Sequence, residues 1–390
     1  MDDRQYIPKF PHAILYRLGF FLFLGILLCF SCNQDAIFFS IEYETQLKDP
    51  LIPGGPSRIV EFNNDLYVGG GNGIYRYAIV DGAAQWKLMS AQPGGRIIDL
   101  AATNTHLYAL SFTGSSVDSA RLSRLKDDGS DWDEIENETG YNRMSTIHSA
   151  EDTIFIGAYQ GSSGASMRVL YIKGAATALT SGWTFDSYGL LNGAAKLGSN
   201  YYIAVESSGI IKIAEADLDI WAAGTGINPI PDSESHNFTG LIVNNNILIA
   251  VGSDGMVWTI DNNGDKKTDK PYNFDFSGAI ALWKKDKDDP SPCLLLLGRT
   301  VSGGNISTYY TYGYYEIFIG DNELGTRYSP GDDTPTTVNI NAKYEASIGT
   351  RVVNSLYQAP KDLDDSMPVF ASTQRDGLWV CRDNEWNVQN

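Results

Sequence analysis

Short apolar runs alternate with polar turns along most of the chain, and the alternation is periodic. Aligned on their apolar runs, six segments correspond: LYVGG from Leu66, LYALS from Leu107, IFIGA from Ile154, YYIAV from Tyr201, ILIAV from Ile247 and LLLLG from Leu294. The intervals between them are 41, 47, 47, 46 and 47 residues, and a seventh segment, PVFAS from Pro368, follows a longer gap. A near-constant period of about 40 to 50 residues marks stacked supersecondary units, and apolar runs this short are strands rather than helices.

Within each unit a preceding strand, such as RIVEF from Arg58 or RIIDL from Arg96, ends in an Asn/Asp/Ser-rich turn. Those residues tolerate positive φ and bond their own backbone, as a tight hairpin requires. The aligned strand is almost wholly apolar, as expected of one covered on both faces. A third strand follows, such as GIYRYAI or MRVLYIK, and then Trp86, Trp132, Trp183, Trp221 or Trp386 at the start of a fourth. The pattern predicts an all-β fold, a seven-bladed β-propeller of four-stranded antiparallel blades, with the tryptophans wedged between neighbouring blades at the rim.

The sixth unit departs from this grammar. About fifty residues separate Gly298 from Arg351, where one strand and two loops need about thirty. An enlarged loop and an eighth, degenerate blade both account for the excess, and periodicity leaves both open. The last unit holds its own fourth strand, EWNVQ, so Ile37–Leu47 (IFFSIEYETQL) reads as an extra strand joining the two chain ends.

The N-terminus is of another kind. Arg4, Lys9 and Arg17 precede a thirteen-residue apolar run, Leu18 to Phe30, too short to span a hydrocarbon core of about 30 Å. This is the pattern of an export signal. Ser31-Cys32, with Leu28 upstream, resembles the lipobox of bacterial lipoproteins, although Cys29 and Phe30 stand where that pattern has leucine and a small residue. The resemblance implies removal of residues 1–31, lipid on Cys32, a tether over 32–36 and a single propeller domain over 37–390. It also implies a membrane partner reached through the lipid, in the bacterial cell envelope, at the periplasmic face or the cell surface.

Composition agrees: the chain is 43% hydrophobic and holds 39 glycines and 22 tyrosines, which suits a packed core with many turns. A net charge of −18 with dispersed lysines excludes nucleic acid as a partner, since phosphate contacts need a concentrated basic surface. Cys293 and Cys381 sit in apolar strands and read as buried thiols.

Candidate chemistry is sparse. DDGSDW, Asp127 to Trp132, resembles the Asp-box of sialidase-like and photosystem-assembly-type propellers, a turn between third and fourth strands, which implies a structural role for Asp127. The wider resemblance to the propeller lipoprotein of outer-membrane barrel assembly is architectural. His12, His106, His148 and His236 lack ligand spacing, and DNNGDKKTD from Asp261 reads as a hairpin turn, so neither a metal nor a cofactor is expected. No nucleophile motif identifies catalytic residues.

Arg58, Arg96, Arg143 and Arg351 each open the first strand of a unit, and those units become neighbours once the ring closes. They are the candidate ligand-binding residues, a basic arc suited to carboxylate or phosphate. The expected function is a non-catalytic binding or interaction scaffold with a protein or acidic-glycan partner. The alternative is a carbohydrate-active enzyme that holds an acidic sugar through these arginines.

Overall fold

The computed structural model describes residues 50–71, 73–114, 119–137, 139–141, 143–159, 166–185, 189–222, 228–272, 275–285, 294–300, 312–319, 324–328, 348–383 and 385–389. The expected signal segment, Cys32, the strand Ile37–Leu47 and Cys293 lie outside them. Pro50–Asn390 forms one compact unit.

Seven four-stranded antiparallel sheets follow one another, each built from strands consecutive in sequence. Blade one holds β1 (Val60–Phe62), β2 (Asp65–Gly70), β3 (Gly73–Val80) and β4 (Ala83–Leu88), and blade two holds β5 (Arg96–Ala102), β6 (Leu107–Phe112), β7 (Ala120–Leu125) and β8 (Trp132–Glu134). Blade three holds β9 (Arg143–Ala150), β10 (Thr153–Tyr159), β11 (Met167–Lys173) and β12 (Thr180–Phe185), and blade four holds β13 (Leu191–Leu197), β14 (Asn200–Val205), β15 (Gly209–Ala214) and β16 (Asn228–Pro229). Blade five holds β17 (Phe238–Asn244), β18 (Ile247–Gly252), β19 (Met256–Asp261) and β20 (Lys266–Pro271). Blade six holds β21 (Asp275–Trp283), β22 (Leu294–Thr300), β23 (Tyr314–Ile319) and β24 (Leu324–Tyr328), and blade seven holds β25 (Val353–Gln358), β26 (Val369–Thr373), β27 (Leu378–Arg382) and β28 (Glu385–Val388).

Among the described residues there is no eighth blade of the kind left open by the sequence: the run after Thr311 supplies β23 and β24 of blade six. Trp221 is a second departure. It falls in a five-residue helix, Leu218–Ala222, ahead of the short β16, rather than in a fourth strand.

Hydrophobic clusters sit at all seven blade interfaces, including the one between blade seven and blade one. Second strands are the most enclosed, and every residue of β10 and of β18 is buried. Trp86, Trp132 and Trp386 reach back to the preceding blade, as the rim-wedge expectation requires, whereas Trp183 packs against the cluster between blades three and four. The Trp86 ring lies 5.3 Å from that of Phe370, and Trp386 Nε1 donates to the Tyr314 hydroxyl at 3.3 Å.

Among the described residues no strand is exchanged between the two ends of the ring. Closure rests on packing and on a strap before β1, in which buried Ile52 enters the seam cluster with Tyr77, Trp86, Phe370 and Leu378. Leu51 N donates to Gln389 O at 3.0 Å, and Gly377 N donates to Gly54 O at 2.9 Å. At the same seam, Asp364 accepts from the Tyr77 hydroxyl at 2.5 Å and from Arg382 Nη2 at 2.8 Å.

Candidate functional site at the central channel

The innermost strands share a defect that hydrophobic periodicity does not show. In blades two, three, four, five and seven the pairing of first with second strand slips by one residue, at Ile98, Ser145, Asn192, Thr239 and Asn354. Blade six has a wider irregularity between Phe276 and Ile280. A β-bulge gives up ladder pairing and turns a side chain out of the pleat. Here it places Asn192, Thr239 and Asn354 in the wall of a cavity of about 300 Å³, together with Gly193, Gly240 and Gly278. The Thr239 hydroxyl is buried without a hydrogen-bond partner among the described residues.

Side-chain hydrogen bonds tie the first strands of neighbouring blades into a girdle around this cavity. Asn192 Nδ2 donates to Phe238 O at 3.1 Å, Ser277 Oγ donates to Val353 O at 2.6 Å, and Ile59 N donates to Ser355 Oγ at 3.1 Å. The bulged backbone is thus held by the next blade.

Arg58 lines the cavity and spans three blades. Its Nη2 pairs with Asp99 at 3.2 Å, and its Nη1 donates to Ile147 O at 3.2 Å and to His148 Nδ1 at 2.9 Å. An arginine only donates, so His148 Nδ1 accepts, and its Nε2–H donates to Leu191 O at 3.0 Å. The imidazole is therefore neutral. Burial, and then the Arg58 charge, hold its pKa well below the usual 6.5. Burial pushes the Asp99 carboxyl upward, against the opposing pull of Arg58 and of two backbone donors.

The other three arginines lie outside this lining. Arg58 sits two residues before Val60, which pairs with Tyr67, whereas Arg96 and Arg143 sit five before the corresponding Ala101 and His148. Arg96 is exposed, opposite Phe112. The Arg143 guanidinium lies over the Tyr159 ring at 5.6 Å. Arg351 pairs with Asp376 at 3.1 Å and lies over Trp379 at 5.7 Å.

Further along the channel, the Tyr357 hydroxyl donates to Glu61 Oε2 at 2.5 Å, and burial and the carboxylate raise the phenol's pKa. This Tyr–Glu pair and the bulged side chains are channel features that strand grammar alone does not reveal. A polar residue inside an otherwise apolar first strand, as in LNGAA or VNSLY, is the signal that points to the latter.

The remaining sequence candidates are structural. The Asp-box turn joins β7 to β8 as the resemblance implies, but Asp128 rather than Asp127 braces it, accepting from Ser130 N at 2.9 Å and Ser130 Oγ at 2.6 Å. Asp261 braces its own hairpin by accepting from the backbone of Asn263 and Asp265, both at 2.9 Å. Cys381 is buried and in no disulfide among the described residues, and burial pushes its thiol pKa up to about 12. Among the described residues no group of His, Cys, Asp and Glu is arranged to hold a metal ion.

No family model matches the chain, and no curated protein does. Solved structures do resemble it. The extracellular domain of BT4673 from B. thetaiotaomicron is 15% identical with a TM-score of 0.50, over 87% of this chain and 40% of that one. The WD40 β-propeller domain of Doa1 is 8% identical with a TM-score of 0.51, over 86% of this chain and 94% of that one. The chain is a seven-bladed β-propeller. At such identities the likeness concerns the fold, and this chain spans well under half of the BT4673 chain.

Proposed function

We propose that this propeller is an exported, lipid-anchored binding scaffold of the bacterial envelope, without catalysis of its own, and that it receives its ligand at the bulged end of the channel. The observation that carries the reading is the repeated bulge. Ladder pairing is given up in blade after blade, and in three of them the result is an amide or hydroxyl in one cavity wall, including a hydroxyl that no group among the described residues satisfies. Such a lining suits hydroxyl- and amide-bearing matter, a glycan or an exposed peptide strand, with a carboxylate or phosphate added only where Arg58 presents its remaining face.

A thermal-shift panel of neutral sugars, acidic sugars and short peptides on the parent and on the triple variant Asn192→Ala/Thr239→Ala/Asn354→Ala tests this. Stabilisation of the parent by a panel member, absent in a variant that stays folded, supports the site. A variant that retains the full shift removes it. The anchor is tested by palmitate labelling: Cys32→Ala should take up no label, and equal labelling of the two proteins would end the lipoprotein reading.

A glycan-processing reading has one feature in its favour, the Tyr357–Glu61 pair in the channel wall. It requires turnover of an aryl glycoside that Tyr357→Phe abolishes, and parent protein inert on a panel of such substrates would dismiss it.

A further inference from the structure

Beyond Tyr357 the channel changes character. A second cavity, of about 720 Å³, shares Glu61, Ile242, Ile280, Leu356 and Tyr357 with the first. Its further walls come from the ends of three consecutive first strands and from the connection after β25. Ile242, Val243, Ile280, Leu282 and Tyr357 are only partly buried against the blade cores, so their apolar surface is left facing this space. Its size falls within the range of about 300 to 1,000 Å³ typical of small-molecule sites.

Two ammonium groups accompany this apolar wall. Lys284 and Lys361 both line the cavity, both are half-buried, and neither forms an ion pair among the described residues. The backbone beside Lys284 is held in place: Lys284 N donates to Gln358 Oε1 at 2.8 Å, and Gln358 Nε2 donates to Lys284 O at 2.9 Å. Of the lining carboxylates, Glu61 already accepts the Tyr357 hydroxyl, and Asp362 is exposed. A lysine stem lies comfortably on apolar surface while its head seeks an anion.

We infer that this cavity is a binding site for an amphipathic monoanion, an acyl-chain carboxylate whose tail lies against Ile242, Ile280, Leu282 and Leu356 and whose head meets Lys284 and Lys361. The site adjoins the bulged cavity and shares a wall with it, but Lys284, Lys361 and Leu282 belong to it alone, and the inference does not depend on the ligand proposed there.

The test is displacement of the fluorescent probe 11-(dansylamino)undecanoate from the parent protein, with dodecanoate, dodecanol and acetate as competitors. Dodecanoate should displace the probe, dodecanol should do so at least about tenfold less well, and acetate should not, because both tail and head contribute. Lys284→Gln/Lys361→Gln should weaken dodecanoate by about tenfold or more and leave dodecanol unchanged. Val243→Trp, which fills the cavity from a half-buried position, should block the probe. The Asn192→Ala/Thr239→Ala/Asn354→Ala variant should bind the probe as the parent does. Probe that does not bind, dodecanol equal to dodecanoate, or affinity unmoved by both cavity variants would overturn the inference. Loss of probe in the bulge variant instead would place the ligand in the other cavity and overturn it as well.

Discussion

Asp364→Asn cuts the ring at the seam where its two ends meet. Asp364 follows β25 in blade seven, and its Oδ2 accepts both the Tyr77 hydroxyl of blade one and Arg382 Nη2 of blade seven, while Oδ1 accepts Ser366 N at 3.0 Å and Ser366 Oγ at 2.7 Å. Burial alone would raise the carboxyl's pKa, but the hydrogen bonds from Arg382, Tyr77 and Ser366 outweigh it and hold the group at about 2, against 3.8 ordinarily. A shift of this size corresponds to roughly 2 kcal/mol once solvent screening at the partly exposed Arg382 is allowed for.

A depressed acid pKa contributes stability that is present above the unfolded value and lost as pH falls through the folded one. The parent should therefore weaken between about pH 4 and pH 2, and Asp364→Asn should lack that part of the acid limb. At pH 7 the variant should lose roughly 2 kcal/mol. With an unfolding entropy of about 2 cal/mol/K per residue, that is a fall in Tm of about 3 °C for a domain of this size.

Urea unfolding of the parent, Asp364→Asn, Tyr77→Phe and the double variant isolates the contact between blades. A coupling energy of about 1.5 kcal/mol or more is expected for this hydrogen bond to a charged group. Additive losses, or an unchanged acid limb in Asp364→Asn, would show that the seam does not hold as described.

Trp86→Ala, which removes the ring packed against Tyr77 and Phe370, should cost about 3 to 5 kcal/mol in urea unfolding. Gly95→Ala should lose more than about 1 kcal/mol and lower Tm, because φ is +75° there and a Cβ would strike the carbonyl of Phe112. His148 should remain neutral through the ordinary imidazole titration near pH 6.5 when followed by NMR. Because its folded pKa is lowered, it also withdraws stability as pH falls below about 6.5, and His148→Gln should flatten that part of the profile.

The blade grammar was legible because each apolar strand must be covered on both faces and each hairpin needs residues that accept positive φ. Asn63 and Asn64 in NND, Glu151 and Asn245 all adopt positive φ at the first-to-second strand turns. Blade number in the sixth unit was not legible from spacing, since TYYTYGYYEIFIG supports a strand without saying whose sheet it joins. The four arginines part company for a related reason. RIVEF and RIIDL look equivalent, yet pairing with the next strand sets Arg58 three residues deeper than Arg96, which brings it to Asp99 and His148. Polar residues in LNGAA and VNSLY hint at the channel lining, but a bulge changes register without changing residue type, so that Asn192, Thr239 and Asn354 share one wall is set by the pairing itself.

A ligand received at the bulged end of the channel should protect the strands that carry the bulges. Hydrogen–deuterium exchange on the parent, with and without the panel member that stabilises it, tests this most directly. The prediction is slowed exchange concentrated in the first-strand segments that carry the bulges, 191–194, 238–241 and 353–356, with the outer strands β4, β8, β12 and β28 unchanged. Protection confined to those outer strands, or no change in the bulged segments at saturating ligand, would contradict it.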